Sequence, residues 1–189
     1  PGQSARAHPF RGMKWSALEG GTRVPCIVRW SPQIPMGRSS DQVVTAMDLL
    51  PTLCDLAGID LQKKMHLLRP DSNVAKNAIP PSIDGRSVAE LFRGTNELLS
   101  ERGVLYWHGM GKPQAIRKGS WKLFFDREST VAGLGVDAKL PAVQSESLKN
   151  LAHGQGPVLF NLEEHSDELS DCSTDRPDIV KQLSALATR

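Results

Sequence analysis

"RGMKWSALEGGTRVP", residues 11–25, decides how the rest of the chain is read. Glycines stand at 12, 20 and 21, and a lone lysine, Lys14, sits between the first of them and Trp15. The double glycine suits left-handed dihedrals or close backbone packing. It leads into Arg-Val-Pro, the entry to an apolar run. The stretch therefore reads as a constrained loop that carries one flexible cation and feeds a larger α/β layer.

Working outward, "VPCIVRW", 24–30, is a short apolar run bounded by turn signals and predicts a strand. "SPQIPMGRSS" is a Pro/Gly loop. "QVVTAM", 42–47, predicts a second short extended segment. Asp48 offers a cap to a following helix, Pro51 is tolerated in its first turn, and Gly58 fits the left-handed position that ends it. Leu49, Leu50, Leu53, Cys54, Leu56 and Ala57 give that helix a broad apolar face. Residues 61–82 read as a surface loop. "SVAE", 87–90, reads as a capping box opening a short helix that stops at Gly94.

Beyond residue 100 the period changes. "GVLYWHG", 103–109, predicts a strand, and "PQAIRKGSWKLFFD", 113–126, predicts two strands around a Lys118-Gly119 turn. Residues 127–156 give no clear signal. "PVLFNLE", 157–163, predicts a further strand. "DRPDIVKQLSALA", 175–187, predicts an amphipathic helix with Ile179, Val180, Leu183 and Leu186 on one face. The expected fold class is α/β: residues 1–100 as part of a large mixed-sheet domain, and 101–189 as a small antiparallel sheet packed by a C-terminal helix.

Bulk properties exclude several function classes. The 189 residues carry 23 basic and 21 acidic side chains, a net charge of +2, which gives no basic footprint for nucleic acid. No apolar run approaches the roughly 20 residues of a transmembrane helix. Cys26, Cys54 and Cys172 are widely spaced and form no zinc pattern, and the first two are expected in the core. The phosphate-binding, dinucleotide, serine-hydrolase and zinc-protease patterns are missing, and the five histidines show no metal-ligand pairing by local spacing.

A resemblance supplies what local motifs do not. "FRGMKWSALEGGTRVPCIVRWSPQIPMG" followed by "SSDQVVTAMDLLPTLCDLAG" resembles the formylglycine-dependent sulfatases, the arylsulfatase branch of the alkaline phosphatase superfamily. "IDGRSV", "AIRKGSWKLFFD" and "VLFNLEEHSDEL" resemble later segments of the same family. The joint order carries the likeness, and 127–156 is its weakest part. An alkaline phosphatase-like fold and hydrolysis of sulfate monoesters are what this implies.

The resemblance makes Lys14 both a catalytic and a substrate-binding residue, because the family's lysine in this loop contacts the sulfate. An ammonium has three donors on a long stem and suits an anionic oxygen. Met13 stands where the family more often has glycine. Calcium and a formylglycine nucleophile are also implied. None of the three cysteines lies in the family's C/S-x-P-x-R motif, and the family's calcium carboxylates precede the lysine loop. The chain is therefore expected to be the C-terminal portion of a sulfatase, inactive alone, holding no metal ligand itself. Its implied partners are a sulfate ester, aryl sulfate or sulfated glycan, and the remainder of the sulfatase domain. Family habit implies a periplasmic or extracellular location. Alternatives are a phosphoester or phosphonate ester hydrolase of the same superfamily, and a non-catalytic module that binds sulfated glycans.

The neighbouring residues are given structural roles. Arg11 and Glu19 are expected to pair and brace the loop. Arg23 and Arg29 are read as ion-pair or snorkelling residues. His8 is given no role. Asp48 is read as a cap rather than a metal ligand. Trp107 and His108 are expected at a packed strand end, and Trp121 and Phe124 in the core of the small sheet.

Overall fold

A computed structural model of the chain describes residues 10–67, 83–95, 99, 101–108, 111–131, 149–151 and 153–188. It divides into two compact units, one formed by Pro1–Pro25 with Glu101–Arg189 and the other by Cys26–Ser100. Residues 10–25 thus group with the small sheet.

In the first unit, four antiparallel strands run in the order β1 (Val104–His108), β2 (Lys112–Lys118), β3 (Trp121–Phe124) and β4 (Val158–Asn161). Lys118 pairs with Trp121, so the β2–β3 turn is Gly119-Ser120, one residue later than expected. Gly119 takes φ 59°, which suits glycine at the first position of a two-residue hairpin loop.

The sheet is buried on both faces, and strand alternation sorts its side chains between them. Ile116, Leu123 and Leu159 join Ile179 and Leu183 of the helix α6 (Pro177–Ala187), with Trp121 and Leu186 packed alongside. Pro177 opens α6 within its first turn, where its missing N–H costs nothing. On the other face Ala115, Phe124, Val158 and Phe160 meet Ala17 and Leu18 of the N-terminal loop. Phe124 and Phe160 meet edge to face, with centroids 5.9 Å apart. The same unit holds two short helices, α1 (Glu19–Thr22) and α5 (Glu128–Val131).

The second unit is built on α2 (Leu49–Leu56), α3 (Leu61–Leu67) and α4 (Ala89–Arg93). Helix α2 ends as the sequence suggests. Gly58 takes φ 68°, its N–H donates to Asp55 O, and the Ile59 N–H donates to Cys54 O, the bond pair of a Schellman motif.

Asp48 behaves differently from the expected cap. It makes no side-chain bond to the head of α2. Its buried carboxylate instead accepts Thr45 N–H at 2.8 Å across a single 3-10 turn (Ala46–Asp48) and Arg86 N–H at 2.9 Å. Gly85 fits there because a Cβ would overlap Met47 O. Ser87 likewise departs from the expected capping box. Its hydroxyl donates to Asp55 at 2.5 Å and accepts Ala89 N–H, while Glu90 pairs with Arg93.

Residues 23–30 form no strand, contrary to the sequence reading. Among the described residues no segment is laddered to them, and a strand needs a partner for its N–H and C=O groups. Val24 and Ile27 are exposed, and so is Cys26, which was expected in the core. Residues 42–45 are irregular rather than a strand and run into the 3-10 turn. Part of the expected loop at 61–82 is helical: α3 begins where Asp60 Oδ1 accepts Lys63 N–H at 3.0 Å. The rest of that loop lies outside the described residues.

Candidate active-site loop

Residues 11–22 form a loop closed at both ends. At its start the Arg11 guanidinium donates to three carbonyls: Asp167 O and Thr130 O, each at 3.0 Å, and Glu168 O. At its base Gly20 N–H donates to Arg11 O at 2.7 Å. A Cβ at Gly20 would lie 2.7 Å from the carbonyl oxygens of Arg11 and Gly12. One at Gly21 would overlap those of Ser16 and Met13. Of the two reasons the sequence offers for the double glycine, close packing is the one realised, while the left-handed residue is Gly12, at φ 91°.

At the tip, Ser16 N–H and Oγ both donate to Met13 O, at 3.0 and 2.9 Å. This turn presents Lys14 and Trp15 to solvent. Trp15 is 87% exposed and takes φ 80°, an uncommon conformation for a bulky residue. The Lys14 ammonium lies 5.2 Å from its ring centroid.

The end of the loop is held by charge. Glu19, fully buried, accepts Lys122 Nζ at 2.8 Å on Oε1, and Arg117 at 2.9 Å and Arg23 on Oε2. Lys122 is also fully buried and pairs with Glu168 Oε1 at 2.9 Å. Glu168 Oε2 in turn accepts Glu19 N–H at 2.7 Å. The Lys122 ammonium stands 4.5 Å over the Tyr106 ring, adding a cation–π contact in a dry site.

Two carboxylates thus share Lys122, and their surroundings separate them. Burial would push Glu19 up, but Lys122, Arg117 and Arg23 together hold it below the ordinary carboxylate range. Burial raises Glu168, and the single shared Lys122 with the Glu19 N–H does not offset it; the Glu19 charge adds to the rise. Burial and then the Glu19 charge push the Tyr106 hydroxyl up to about 12.

The expected bracing by Arg11 and Glu19 is therefore achieved without their pairing. Arg11 turns to backbone carbonyls because Glu19 is taken by the cations of the sheet. Arg23 forms the structural ion pair expected of it, and Arg29 is exposed. Trp107 is 59% exposed rather than packed, beyond a register shift that separates it from Tyr106. His8 and the side chain of His108 lie outside the described residues. Sequence reasoning passed over Lys122 and Glu168. The only signal was alternation in "WKLFF", which reads equally well as a half-exposed strand.

A sulfatase family model matches residues 2–59, the segment that contains this loop. Mouse steryl-sulfatase is 37% identical over 120 residues, covering 61% of this chain and 16% of the relative. Over these stretches the chain is similar to the sulfatases.

Other relatives extend the likeness along the chain. Dog N-acetylgalactosamine-6-sulfatase is 28% identical over 200 residues, covering 97% of this chain and 33% of the relative. A solved Bacteroides thetaiotaomicron structure, described under the metabolism of multiple glycosaminoglycans, superposes with a TM-score of 0.59 at 22% identity. It covers 95% of this chain and 31% of that one, and its likeness is one of fold. The chain spans about a third or less of the length of these relatives.

The family implies calcium and a formylglycine. Among the described residues no group of three His, Cys, Asp or Glu side chains is placed to hold a metal ion. Cys26, Cys54 and Cys172 lack the nucleophile motif throughout. The described residues thus do not fit either group. No helix among them is long and apolar enough to cross a membrane.

Proposed function

We propose that the protein hydrolyses sulfate monoesters and that Lys14 contacts the sulfate. The observation that carries this reading is the presentation of the Lys14 ammonium. It is exposed at the tip of a loop inside the family-matched segment, and both ends of that loop are pinned by buried groups. Pinning matters because a cation fixed in place before the reaction stabilises developing charge without reorganisation. As the S–O bond breaks, charge grows on the bridging oxygen. A compact ammonium with three donors can meet that oxygen or the sulfate oxygens beside it. Nucleophile and metal chemistry are left to groups that the described residues do not supply.

The names of the relatives support a sulfated carbohydrate or sterol as substrate class. Location outside the cytoplasm, periplasmic or extracellular, is part of the same reading and rests on the family alone. The test of reaction class is turnover of 4-nitrophenyl sulfate beside 4-nitrophenyl phosphate and a phenylphosphonate ester, using protein expressed from its complete reading frame. Preference for the sulfate supports the proposal. Preference for either phosphorus ester overturns it in favour of the related hydrolases, and binding of sulfated polymer with no turnover points to a non-catalytic module.

A further inference from the structure

We propose that Glu168 and Lys122 are positioning residues that set where the Lys14 ammonium stands. The inference rests on the reading of Lys14 as the sulfate contact. The geometry is specific. Glu168 N–H closes a local turn onto His165 O at 3.1 Å, and three other polar contacts of the residue lead to the ends of the loop. Its backbone carbonyl accepts the Arg11 guanidinium, at the loop's start. Its Oε2 accepts the Glu19 N–H, at the loop's end. Its Oε1 pairs with Lys122, whose ammonium also holds Glu19 Oε1. One residue, distant in sequence from the loop, therefore fixes both of its ends.

Two further observations set this apart from ordinary core packing. Glu168 is fully buried yet takes φ 55°, a left-handed conformation unusual for a glutamate. Such strain persists only where the surroundings over-determine it. The ion cluster is also a poor way to gain stability alone, because hydrophobic replacements of buried pairs often match or exceed them. What the cluster supplies here is direction. The carboxylate acceptors and the ammonium donor fix the angle of the loop base, and the hydrogen bonds of Met13, Ser16 and Gly20 carry that angle to the tip.

The experiment is a double-mutant cycle in protein expressed from its complete reading frame, on the sulfate ester it turns over. Glu168→Gln is nearly isosteric, keeps an acceptor for the Glu19 N–H and removes the charge held by Lys122. The expected result is a fall in kcat of about tenfold with KM within about twofold, since small misplacements of a catalytic group are costly. In a Lys14→Ala background the same change should cost less than about twofold, because residues acting through one group are not additive. Near-UV circular dichroism establishes that each variant is folded, and if Glu168→Gln is not, Lys122→Arg carries the same cycle. Full additivity with Lys14→Ala, or an unchanged kcat in the folded single variant, overturns the positioning role while leaving Lys14 intact. An unchanged kcat/KM in Lys14→Ala alone overturns the underlying reading as well, so the two failures are distinguishable.

Discussion

Lys122 donates to Glu19 at 2.8 Å with both side chains wholly withdrawn from solvent, joining the middle of a small sheet to the end of the N-terminal loop. The second carboxylate, Glu168, lies 2.9 Å away on the same ammonium. Removing the cation would leave two carboxylates buried around an empty position. Lys122→Met is therefore expected to cost on the order of 3–5 kcal/mol of unfolding free energy, the usual scale for breaking a buried pair from one side. Urea denaturation measures it. A cost below about 1 kcal/mol would mean that water reaches the site.

The two carboxylates should leave opposite marks on the pH dependence of stability. Glu168 is raised in the folded state. Its contribution is fully present below the unfolded carboxylate value and is lost as pH rises through the folded one. Glu19 is lowered, so its contribution is present above the unfolded value and lost as pH falls through the folded one. Melting temperatures of the wild type and Glu168→Gln from pH 4 upward should show the wild-type advantage shrinking as pH rises. With Glu19→Gln the wild-type advantage should shrink as pH falls below the ordinary carboxylate range. The reverse trend in either variant would contradict the assignment.

Glycines should differ sharply by environment. At Gly21 a Cβ would run into the backbone carbonyls of Ser16 and Met13, which cannot yield without opening the loop. At Gly58 a Cβ meets nothing within 4 Å, and only the φ of 68° opposes it. Gly58→Ala is expected to cost about 1 kcal/mol, the scale of a left-handed residue with a Cβ. Gly21→Ala should cost more, about 2–3 kcal/mol, on the scale of overpacking a close contact. Thermal unfolding of both variants checks the order, and equal costs would contradict the tight loop base.

The face packed by α6 is a conventional apolar layer. Leu183 is 1% exposed among Ile116, Leu123 and Leu159. Leu183→Ala should destabilise by about 2–5 kcal/mol through lost burial and the cavity left behind. A change under about 1 kcal/mol would show that α6 does not cover this face in solution.

The small sheet and its helix were legible in the sequence because their periods are local. Strand alternation in 113–126 and the spacing of Ile179 and Leu183 each declare a face without reference to distant residues. The helix end at Gly58 was legible for the same reason. Lys122 was not. Alternation places it opposite Trp121 and Leu123, but nothing local says that this second face is covered by a loop about a hundred residues earlier. Residues 24–30 failed in the other direction. Their apolar content is strand-like, but a ladder depends on a partner that the segment cannot specify alone. Asp48 was recognised as a structural acid, while its acceptance of the Arg86 amide is a long-range contact that no capping rule contains. The role proposed for Lys14 rests on family likeness and not on local chemistry, since a lysine in a loop is by itself unremarked.

The central claim is that the cation at the tip of the pinned loop works on the sulfate. The most direct measurement is kcat/KM for a sulfate ester in Lys14→Ala against wild type, in protein expressed from its complete reading frame. A fall of about 10²–10³ with the fold intact is expected, the scale of losing one preorganised charge stabiliser. A kcat/KM within about twofold of wild type would contradict the account.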